Sequence, residues 1–553
     1  MTSKTACQPQ LSLVCRAVVY QICLMMALQP AHPAFAEGIA VATGNTTLNQ
    51  AGNGVPIVDI ATPNGAGISH NLYTDFNVGQ TGTILNNATG QLTQTQLGGL
   101  IQNNPHLGGQ AASAIINEVV GVNPSQLQGY LEVAGQQAGV VVANPNGLTC
   151  DGCGFINTPT VTLSTGKPVL DASGQLQMLD VKRGTLTVGG KGLDASRQAS
   201  VDLVARAVRL NGALHGKEVN VIAGANQVNR QTGEIRAQAG EGPAPEVAID
   251  TAALGGMYAG KIRLVSTEQG VGVNLANAVA NQGDLTLDAS GKIRLRDLSS
   301  TGALRVDGRD DVALTGKVQV GGQAHIGAAG TLSAHNADIQ VAQDTRLAGK
   351  SLQLGQSSLT SGGALALKAD EGLSLVGGKV QADAIDANAR DINARTTMAA
   401  KRVALQAEEL VQAGDLQGDT VSLVGKNVRH HGKTQAGQAL NVQGQRLENK
   451  GLLKSGQTLV VALSDSGRND GSLSSAGSLE VRAGDQWEQG SQGKSESGTK
   501  NTLQAGRTAL GGGGGCAAAC GECRSLDRQW QGAGRRSPAD GRQAPQPGRS
   551  AGR

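Results

Sequence analysis

Two cysteines, Cys150 and Cys153, stand three residues apart directly behind the sequence Asn144-Pro145-Asn146-Gly147. That spacing is found in zinc sites, redox pairs, catalytic thiols and plain disulfides. A structural zinc site takes four ligands, and the sequence offers no second CxxC and no spaced histidine pair nearby. His430 and His431 are adjacent, so a strand would point them to opposite faces, and we interpret them as surface or turn residues. We therefore expect no metal ion and no cofactor.

The first 36 residues indicate the compartment. Basic residues precede an apolar run, and prolines and a small-x-small tripeptide follow it, as in a secretory signal peptide. The run is shorter than the roughly 20 apolar residues that span a bilayer. We predict that residues 1–36 direct the chain to the general export machinery and are cleaved after Ala36. The residues concerned are Lys4, Arg16, the run 17–28, Pro30, Pro33, Ala34, Phe35, Ala36 and the new N-terminus Glu37.

Export narrows the choice for the cysteine pair. Of the eight cysteines, three lie in the signal segment and three in a C-terminal stretch of unusual composition. An isolated pair in an oxidising compartment favours a disulfide, so we predict one between Cys150 and Cys153. The other six cysteines are Cys7, Cys15, Cys23, Cys516, Cys520 and Cys523.

The composition is unusual for a globular enzyme. Glycine accounts for 80 of 553 residues, aromatic residues for 2%, and no aromatic residue occurs between Tyr258 and Trp487. A core without aromatic side chains indicates a narrow, regular fold filled by aliphatic residues. The net charge of +3 gives no strong electrostatic reason to expect a nucleic-acid partner.

The sequence also contains an internal repeat, which favours a regular fold. Apolar-polar-apolar triplets recur 18 to 20 residues apart, or at about twice that spacing, and a second set trails the first by seven or eight residues. Two strands per unit describe one coil of a helix made of strands. The first set begins at residues 285, 304, 324, 365, 403, 421, 440, 459 and 479, and the second at 293, 312, 332, 352 and 373.

The predicted fold class is therefore all-β, a right-handed parallel β-helix (solenoid) with an N-terminal capping region. Its alternative is a set of sandwiches, which would not keep one period over so many units. Corners of a β-helix need residues that tolerate positive φ, and glycines occur two residues before several strands. These are Gly283, Gly302, Gly322, Gly363 and Gly477.

Two turn sequences stand out in the N-terminal half. Asn144-Pro145-Asn146-Gly147 has the residues that a type I turn prefers, and Asn104-Pro105-His106-Leu107 is a close relative. With its surroundings, the run 103–166 closely resembles the secretion domain of two-partner-secretion exoproteins, the filamentous haemagglutinin and contact-dependent growth-inhibition families. The segments GISHNLYTDFNV (67–78) and GGMYAGKIRLVSTEQGVGV (255–273) also resemble that family. The family motifs are written NPNL and NPNG followed by Ile, so His106 and Leu148 depart from them.

The resemblance implies a non-catalytic exoprotein that is secreted to the surface of a Gram-negative bacterium through the periplasm. Its partner would be an outer-membrane β-barrel transporter that recognises the N-terminal domain through the motifs at 104–107 and 144–147. The chain would be the N-terminal part of a surface adhesin, or alternatively the export and stalk region of a contact-dependent growth-inhibition toxin. A receptor on a host or neighbouring cell is left unspecified. The Cys150–Cys153 pair would be a compact local staple that does not obstruct export.

Other functions fit the residues less well. A polysaccharide-active β-helix enzyme would need a carboxylate pair at a defined separation, whereas Asp310-Asp311 and Glu408-Glu409 are consecutive. A redox CxxC normally begins a helix, but this one lies between strand-like segments. Gly189 to Asp194 resembles a single calcium-binding nonapeptide, and one copy cannot stack a shared ion site.

The sequence thus predicts four segments. They are the signal peptide 1–36, the two-partner-secretion domain 37–275, haemagglutinin-type repeats of about 20 residues over 276–505, and a disordered tail 506–553. From Gly511 the strand period stops and all the basic residues are arginine. We interpret this tail as the result of a reading-frame slip, with a basic binding arm as the alternative.

Overall fold

The structure is a computed structural model that describes residues 38–252 and 254–510. These residues form 48 strands and no helix, so none of them builds a helix able to cross a bilayer. The signal segment with Ala34, Ala36 and Glu37, and the tail from Gly511, lie outside the described residues. The described chain divides into two compact units, with the division at residues 259 and 260.

The first unit contains 24 complete strands in its described residues. They are β1 Ile39–Thr43, β2 Thr47–Gln50, β3 Pro56–Asp59, β4 Ile68–Phe76, β5 Thr83–Asn87, β6 Leu92–Thr95, β7 Gly99–Gln102, β8 Ala114–Val119, β9 Ser125–Leu127, β10 Tyr130–Gly135, β11 Gly139–Ala143, β12 Leu148–Cys150, β13 Cys153–Ile156, β14 Thr160–Ser164, β15 Lys167–Leu170, β16 Leu176–Val181, β17 Thr185–Val188, β18 Leu193–Ala195, β19 Ser200–Ala205, β20 Ala207–Leu210, β21 Ala213–Ala223, β22 Asn226–Asn229, β23 Ile235–Ala237 and β24 Val247–Thr251.

Strand β25, Gly256–Ser266, includes the division, and the second unit continues from it. Its strands are β26 Gly272–Ala280, β27 Leu285–Ala289, β28 Ile293–Ser300, β29 Leu304–Gly308, β30 Val312–Val320, β31 Ala324–Ala328, β32 Thr331–Val341, β33 Thr345–Gly349, β34 Ser351–Gly355, β35 Ser358–Ser361, β36 Ala364–Ala369, β37 Gly372–Gln381, β38 Ala384–Asn388, β39 Asp391–Ala399, β40 Arg402–Gln412, β41 Asp415–His430, β42 Lys433–Asn449, β43 Leu452–Ser455, β44 Thr458–Asn469, β45 Ser472–Ser475, β46 Ser478–Gln489, β47 Lys494–Ser497 and β48 Lys500–Leu510.

In the first unit, parallel strands stack in three columns. One column runs β3, β5, β10, β13 and β18, a second runs β4, β8, β11, β14 and β19, and a third runs β9, β12, β17, β20 and β24. The antiparallel pairs β1–β4 and β2–β3 lie at the N-terminal side. This arrangement fits the predicted capping region.

Two antiparallel excursions leave the columns of the first unit. The hairpin β6–β7 is one, and the sheet β15-β16-β22-β23 is the other. The larger sheet covers a buried cluster of five aliphatic side chains, because the columns beneath it leave apolar groups that would otherwise face water. They are Leu179, Val181, Val204, Ile222 and Val228.

In the second unit, the predicted triplets are strands in register. The column that starts at Leu285 advances by 18 to 21 residues per coil as far as Leu479. Its inward positions are buried and mostly aliphatic, as in Leu285, Val306 and Leu405, with Thr345 as a polar exception. Each unit is therefore a parallel β-solenoid, which confirms the predicted all-β fold class.

The coil differs from the prediction in having three strand segments instead of two. The third segment continues β28, β30 and β32 beyond a bend and pairs separately, as in Leu298 with Val318 and Val318 with Ile339. The bend falls at a column of residues with positive φ. These are Asn277, Asp297, Gly316, Asn336, Gln356 and Gly377.

The five glycines that precede strands were predicted to supply positive φ, but the structure gives them a different role. None of the five has positive φ. Instead, a Cβ on Gly302 would approach the carbonyl carbon of Gly283 to 2.7 Å, and one on Gly477 would approach the oxygen of Gln457 to 2.2 Å. Glycine is required there because neighbouring coils stack too closely for a side chain.

The repeat also extends past the predicted boundary at residue 505. Strand β48 pairs with β46 through Leu510, so the boundary lies inside this strand. The predicted tail beyond it lies outside the described residues.

Candidate functional site

The two Asn-Pro turns lie at two different corners of the coils, one before the strand column of β8 and β11 and the other after it. The turn 144–147 connects β11 to β12, and the turn 104–107 lies between β7 and β8. In both turns the leading asparagine is buried, with 0% of Asn144 and 2% of Asn104 exposed. A buried side-chain amide needs hydrogen-bond partners for its NH₂ group and for its oxygen. Asn144 and Asn104 each have both kinds of partner.

Asn144 fixes its turn with hydrogen bonds in two directions. Its Nδ2 donates to the carbonyl oxygen of Asn123 and to Ser125 Oγ, both at 2.9 Å. Its Oδ1 accepts the backbone N–H of Asn146 at 2.9 Å, and its carbonyl oxygen accepts the N–H of Gly147 at 3.1 Å. One side chain thus both shapes the turn and fastens it to the preceding coil.

Asn104 repeats this construction. Its Nδ2 donates to the carbonyl oxygens of Ile60 and Asn86 at 2.9 and 2.8 Å. Its Oδ1 accepts the N–H of His106 at 2.8 Å. In both turns the buried leading asparagine therefore accepts the N–H of the third residue and donates to backbone carbonyl groups of other segments.

The third residue distinguishes the turns. Asn146 donates to the carbonyl oxygen of Gly121 at 2.8 Å and accepts from Arg183 at 3.2 Å. His106 instead places Nε2 2.9 Å from Thr47 Oγ1, while its carbonyl oxygen accepts from Thr62 Oγ1 at 2.8 Å. His106, which departs from the family motif, is thus anchored to Thr47 and Thr62.

Cys150 and Cys153 are bonded in the structure and flank a corner between β12 and β13. The corner contains Gly152 with φ of +85°, a value that glycine adopts without strain. Both cysteines are buried, with 0% and 3% exposed. The pair lies one strand beyond the turn 144–147, so it ties together the two ends of a single tight corner.

Two buried carboxylates that the sequence analysis did not single out also lie in the first unit. Glu132 accepts the N–H groups of Gln96 and Leu97 at 2.7 and 2.8 Å and so caps the loop of the hairpin β6–β7. Glu118 lies 2.7 Å from His70. Both carboxylates interrupt apolar strands, NEVV and YLEVA, and that interruption is the sequence signal for a buried, partnered charge.

Asp59 is a third buried carboxyl group, beneath the first turn. Burial raises its pKa, and the hydrogen bond from Asn86 and the nearby His106 partly oppose that rise. The Asn86 Nδ2 to Asp59 Oδ1 distance is 2.6 Å. The carbonyl oxygen of Asn86 also accepts a hydrogen bond from Asn104 Nδ2. Asp59 and the turn 104–107 therefore belong to one hydrogen-bond network.

The interpretation of His430 as a surface or turn residue is wrong. His430 ends β41 with 0% of its surface exposed. Its Nδ1 lies 2.7 Å from Asn449 Oδ1 and its Nε2 lies 3.0 Å from Thr434 Oγ1. Burial lowers its pKa to about 4. His431 is exposed, as expected for a neighbour on the opposite face.

The consecutive carboxylates take part in separate surface ion pairs. Glu408 lies 2.9 Å from Lys426, Glu409 3.4 Å from Arg429, and Asp311 3.0 Å from Lys292. No group of three His, Cys, Asp or Glu side chains that could hold a metal ion occurs within 38–252 and 254–510.

Comparison with known proteins identifies the first half of the chain. Residues 36–295 match the TPS secretion domain, and TPS denotes two-partner secretion. The 16S rRNA endonuclease CdiA of Enterobacter cloacae is 44% identical over 500 residues, which cover 86% of this chain and 15% of that protein. Residues 36–295 thus form the secretion domain of a two-partner-secretion exoprotein.

Two further relatives define the extent of the likeness. The tRNA nuclease CdiA of Yersinia mollaretii is 45% identical over 81% of this chain and 14% of its own length. The crystal structure of the filamentous haemagglutinin secretion domain is 32% identical, covers 57% of this chain and 99% of that one, and has a TM-score of 0.47. The chain thus spans about one seventh of the length of these CdiA relatives. Exoproteins of this family are secreted to the Gram-negative cell surface through the periplasm.

Proposed function

We propose that this chain is the export region and proximal stalk of a surface exoprotein that a partner outer-membrane β-barrel transporter carries across the outer membrane. The observation that carries this proposal is the pair of Asn-Pro turns, each held by a buried asparagine, inside a TPS secretion domain. A transporter that binds an exoprotein before translocation needs a distinctive structure near the N-terminus. Two turns fixed by buried asparagines supply one.

Folding of the stalk favours transport in one direction. Each coil that closes on the preceding one buries aliphatic side chains and pairs backbone groups, as along the column from Leu285 to Leu479. That burial opposes the return of the chain into the pore. Repeat folds suit this task because stability accumulates coil by coil.

The proposal also assigns a role to each predicted segment of the chain. Residues 37–275 form the recognition domain, residues from 276 form the repeats, and the residues before 37 direct the chain to the general export machinery. The Cys150–Cys153 bond closes a loop of two intervening residues, so the bonded corner adds little bulk to an extended chain. We assign it a stapling role.

We also propose that the described residues are not catalytic. Two relatives that align with most of this chain are named for different substrates, one a 16S rRNA endonuclease and one a tRNA nuclease. A region common to both cannot account for that difference. The same names favour the stalk of a contact-dependent growth-inhibition toxin over an adhesin, which remains the second candidate.

Export is tested by producing the chain with and without its partner outer-membrane transporter. We expect the protein in the medium or on the cell surface only when the transporter is present, and in the periplasm otherwise. Release without the transporter, or retention with it, would contradict the proposal. An unrelated transporter of the same class serves as the matched control for specificity.

The two distal functions are separated by a competition experiment. Cells that carry the natural locus are grown with isogenic cells that lack it and any adjoining immunity gene. Contact-dependent loss of the second strain supports the toxin stalk, and adherence to a surface without killing supports the adhesin.

A further inference from the structure

The turn 144–147 itself presents little surface to a partner. Its first and last residues are buried, and the two between them are half-buried. The segment before β17 covers one side, where Arg183 donates to Asn146 Oδ1 at 3.2 Å. A Cβ on Gly184 in the same segment would lie 2.7 Å from the carbonyl oxygen of Pro145. A protein that binds at this corner therefore finds few atoms of the turn to contact.

The turn also lies against the loop 120–124 of the preceding coil. The two form equivalent corners, because β8 pairs with β11 before the corner and β9 pairs with β12 after it. Unlike the turn, the loop is open to solvent, since 53% of Val120 and 84% of Val122 are exposed and Pro124 is exposed as well. Single exposed apolar side chains are ordinary, whereas a group of them indicates a protein interaction site.

The backbone of this loop is fixed against β4. The N–H of Val120 donates to the carbonyl oxygen of Tyr73 at 2.8 Å. Gly121 packs so closely on the same strand that a Cβ there would lie 2.0 Å from the carbonyl oxygen of Thr74, so only glycine fits. The exposed apolar side chains therefore stand on a backbone that is already ordered before a partner binds.

The two asparagines of the turn fix the same loop. Asn146 Nδ2 donates to the carbonyl oxygen of Gly121 at 2.8 Å, and Asn144 Nδ2 donates to that of Asn123 at 2.9 Å. The side chain of Asn123 donates in its turn to Asp75 Oδ1 at 2.7 Å. The turn thus holds the loop's carbonyl groups both before and after its most exposed residue.

We propose that the loop 120–124 is the apolar surface through which the partner outer-membrane transporter recognises this chain, and that Asn144 and Asn146 are positioning residues for it. This inference rests on the proposed function, which assigns recognition to the turn. Because Asn144 is buried and Asn146 half-buried, the loop that they hold is the exposed part of the signal. The complementary site is an apolar pocket on the periplasmic side of the transporter that takes Val120 and Val122. A rigid loop enters such a pocket without the cost of ordering it.

Two pairs of substitutions at exposed positions test the proposal. Val120→Ser with Val122→Ser removes the apolar groups, and surface changes of this kind affect folding little. The matched control is Leu92→Ser with Leu100→Ser, because these leucines are 65% and 64% exposed on the hairpin β6–β7 of the same unit. We expect transporter-dependent secretion to fall at least tenfold for the valine pair and to stay unchanged for the leucine pair. Urea unfolding should be the same for both variants and the original protein.

Binding is measured between the full exported chain, purified from the periplasm of cells that lack the transporter, and the purified transporter in detergent. The valine pair should weaken binding about tenfold or more. Asn146→Ala should weaken binding of the original chain but add little in the valine variant, because a positioning residue acts through the loop. Equal losses in both backgrounds would overturn the positioning role.

The outcomes separate this inference from the proposed function. Normal secretion and binding of the valine variant, beside an original chain that needs the transporter, would overturn the inference alone. An equal loss in the leucine pair would do the same, because it would show that any exposed apolar group suffices. Loss of self-association in place of transporter binding, measured by sedimentation, would assign the loop to a contact between copies of this chain. Release of the original chain without the transporter would contradict the proposed function, and this inference with it.

Discussion

In the first unit, buried asparagines bind backbone groups at positions that differ from coil to coil, whereas in the second unit buried polar side chains stack on one another. Asn87 illustrates the first case, since its Nδ2 donates to the carbonyl oxygens of Ala112 and Gln136. The second case is the polar column of the buried His430, Asn449 and Asn469 and the half-buried Gln489, which occupy successive register positions. The hydrogen bonds of the first unit therefore differ from coil to coil, whereas those of the polar column repeat from one coil to the next.

This difference fits the two tasks proposed for the units. A recognition domain needs turns that occur nowhere else along the chain, and each needs its own internal support. A stalk needs only a coil that can be repeated. Substitutions that remove the supports of the Asn-Pro turns in the first unit should therefore affect export, and substitutions in the second unit should affect stability alone.

The largest effect is expected at Asn144. Asn144→Val would leave the Asn123 carbonyl, Ser125 Oγ and the Asn146 N–H without their partners, at about 1–3 kcal/mol for each buried group. We expect secretion to fall at least tenfold, with the protein retained in the periplasm. Asn104→Val should act similarly because its turn is built alike. Fractionation and immunoblotting measure both.

The control for this pair is Asn211→Val, a change of the same residue type at an exposed position in the same unit. It should be secreted normally. Full secretion of both the Asn104 and Asn144 variants would show that the turns are structural features without a role in export, and the contrast between the units would lose its functional meaning.

The second effect concerns pH and the polar column. The pKa of His430 falls from 6.5 to about 4 on folding, so the unfolded chain binds the proton more tightly. Its contribution to stability is complete above about pH 6.5 and is lost as the pH falls toward 4, by about 3 kcal/mol in all. Around the ring lie Asn449 and Thr434, and His431 adds a nearby positive charge.

Urea unfolding at pH 7 and pH 5 measures this loss, which should be about 2 kcal/mol over that interval. Trp487, buried in β46, is the fluorescent reporter, with Trp530 replaced by phenylalanine. His430→Asn should flatten the pH dependence, while His431→Asn should leave it intact. A slope that persists in His430→Asn would assign the titration to another group.

The polar column also shows what the sequence could predict and what it could not. The aliphatic triplets repeat in sequence, so their strands and register followed directly from the period. His430 was misjudged because its burial depends on Asn449 and Thr434, which meet it only when the coils stack. The signal was nevertheless present, since His430, Asn449 and Asn469 recur at one coil spacing.

The candidate site was predictable to a similar degree. The residues of the two Asn-Pro turns could be named from their turn chemistry, but their anchors could not, because Ile60, Asn86 and Asn123 are distant in sequence or ordinary in type. The third strand segment of each coil was missed because it continues the second strand without a break in sequence. In the six coils from Asn277 to Gly377 its bend falls at one residue of positive φ, which is Asn, Asp or Gln in four coils and Gly in two.

A smaller effect is expected from filling the core of the second unit. Gly467 faces Trp487 in the next coil, and a Cβ on it would lie 2.5 Å from the tryptophan Cζ3. Gly467→Ala should lower the free energy of unfolding by about 1–3 kcal/mol, since overpacking forces neighbouring side chains from their preferred rotamers. Secretion should be unaffected if the units divide their tasks as proposed.

Gly372→Ala is the matched control for that substitution. No atom lies within 4 Å of a Cβ at this position, and its φ is not positive, so the variant should be as stable as the original or slightly more so. Both proteins are compared by urea unfolding. Equal stability of the two variants would show that the core around Trp487 relaxes freely.

The smallest effect is expected at the disulfide, and it tests whether every feature near the turn 144–147 serves export. Cys150→Ala with Cys153→Ala removes a bond whose loop is very short, so the loss of chain-entropy stabilisation should be about 2 kcal/mol or less. Alanine is preferred to serine because both positions are buried and a hydroxyl would need a partner there. The buried anchors of Asn144 are untouched, so the double variant should be secreted at the original level while unfolding at a lower urea concentration.

Thiol labelling of the original protein after secretion should detect no free cysteine at these positions. If the double variant were retained in the periplasm as Asn144→Val is expected to be, the corner would count as part of the recognition surface. The export signal would then consist of the two Asn-Pro turns and the disulfide, and not of the turns alone.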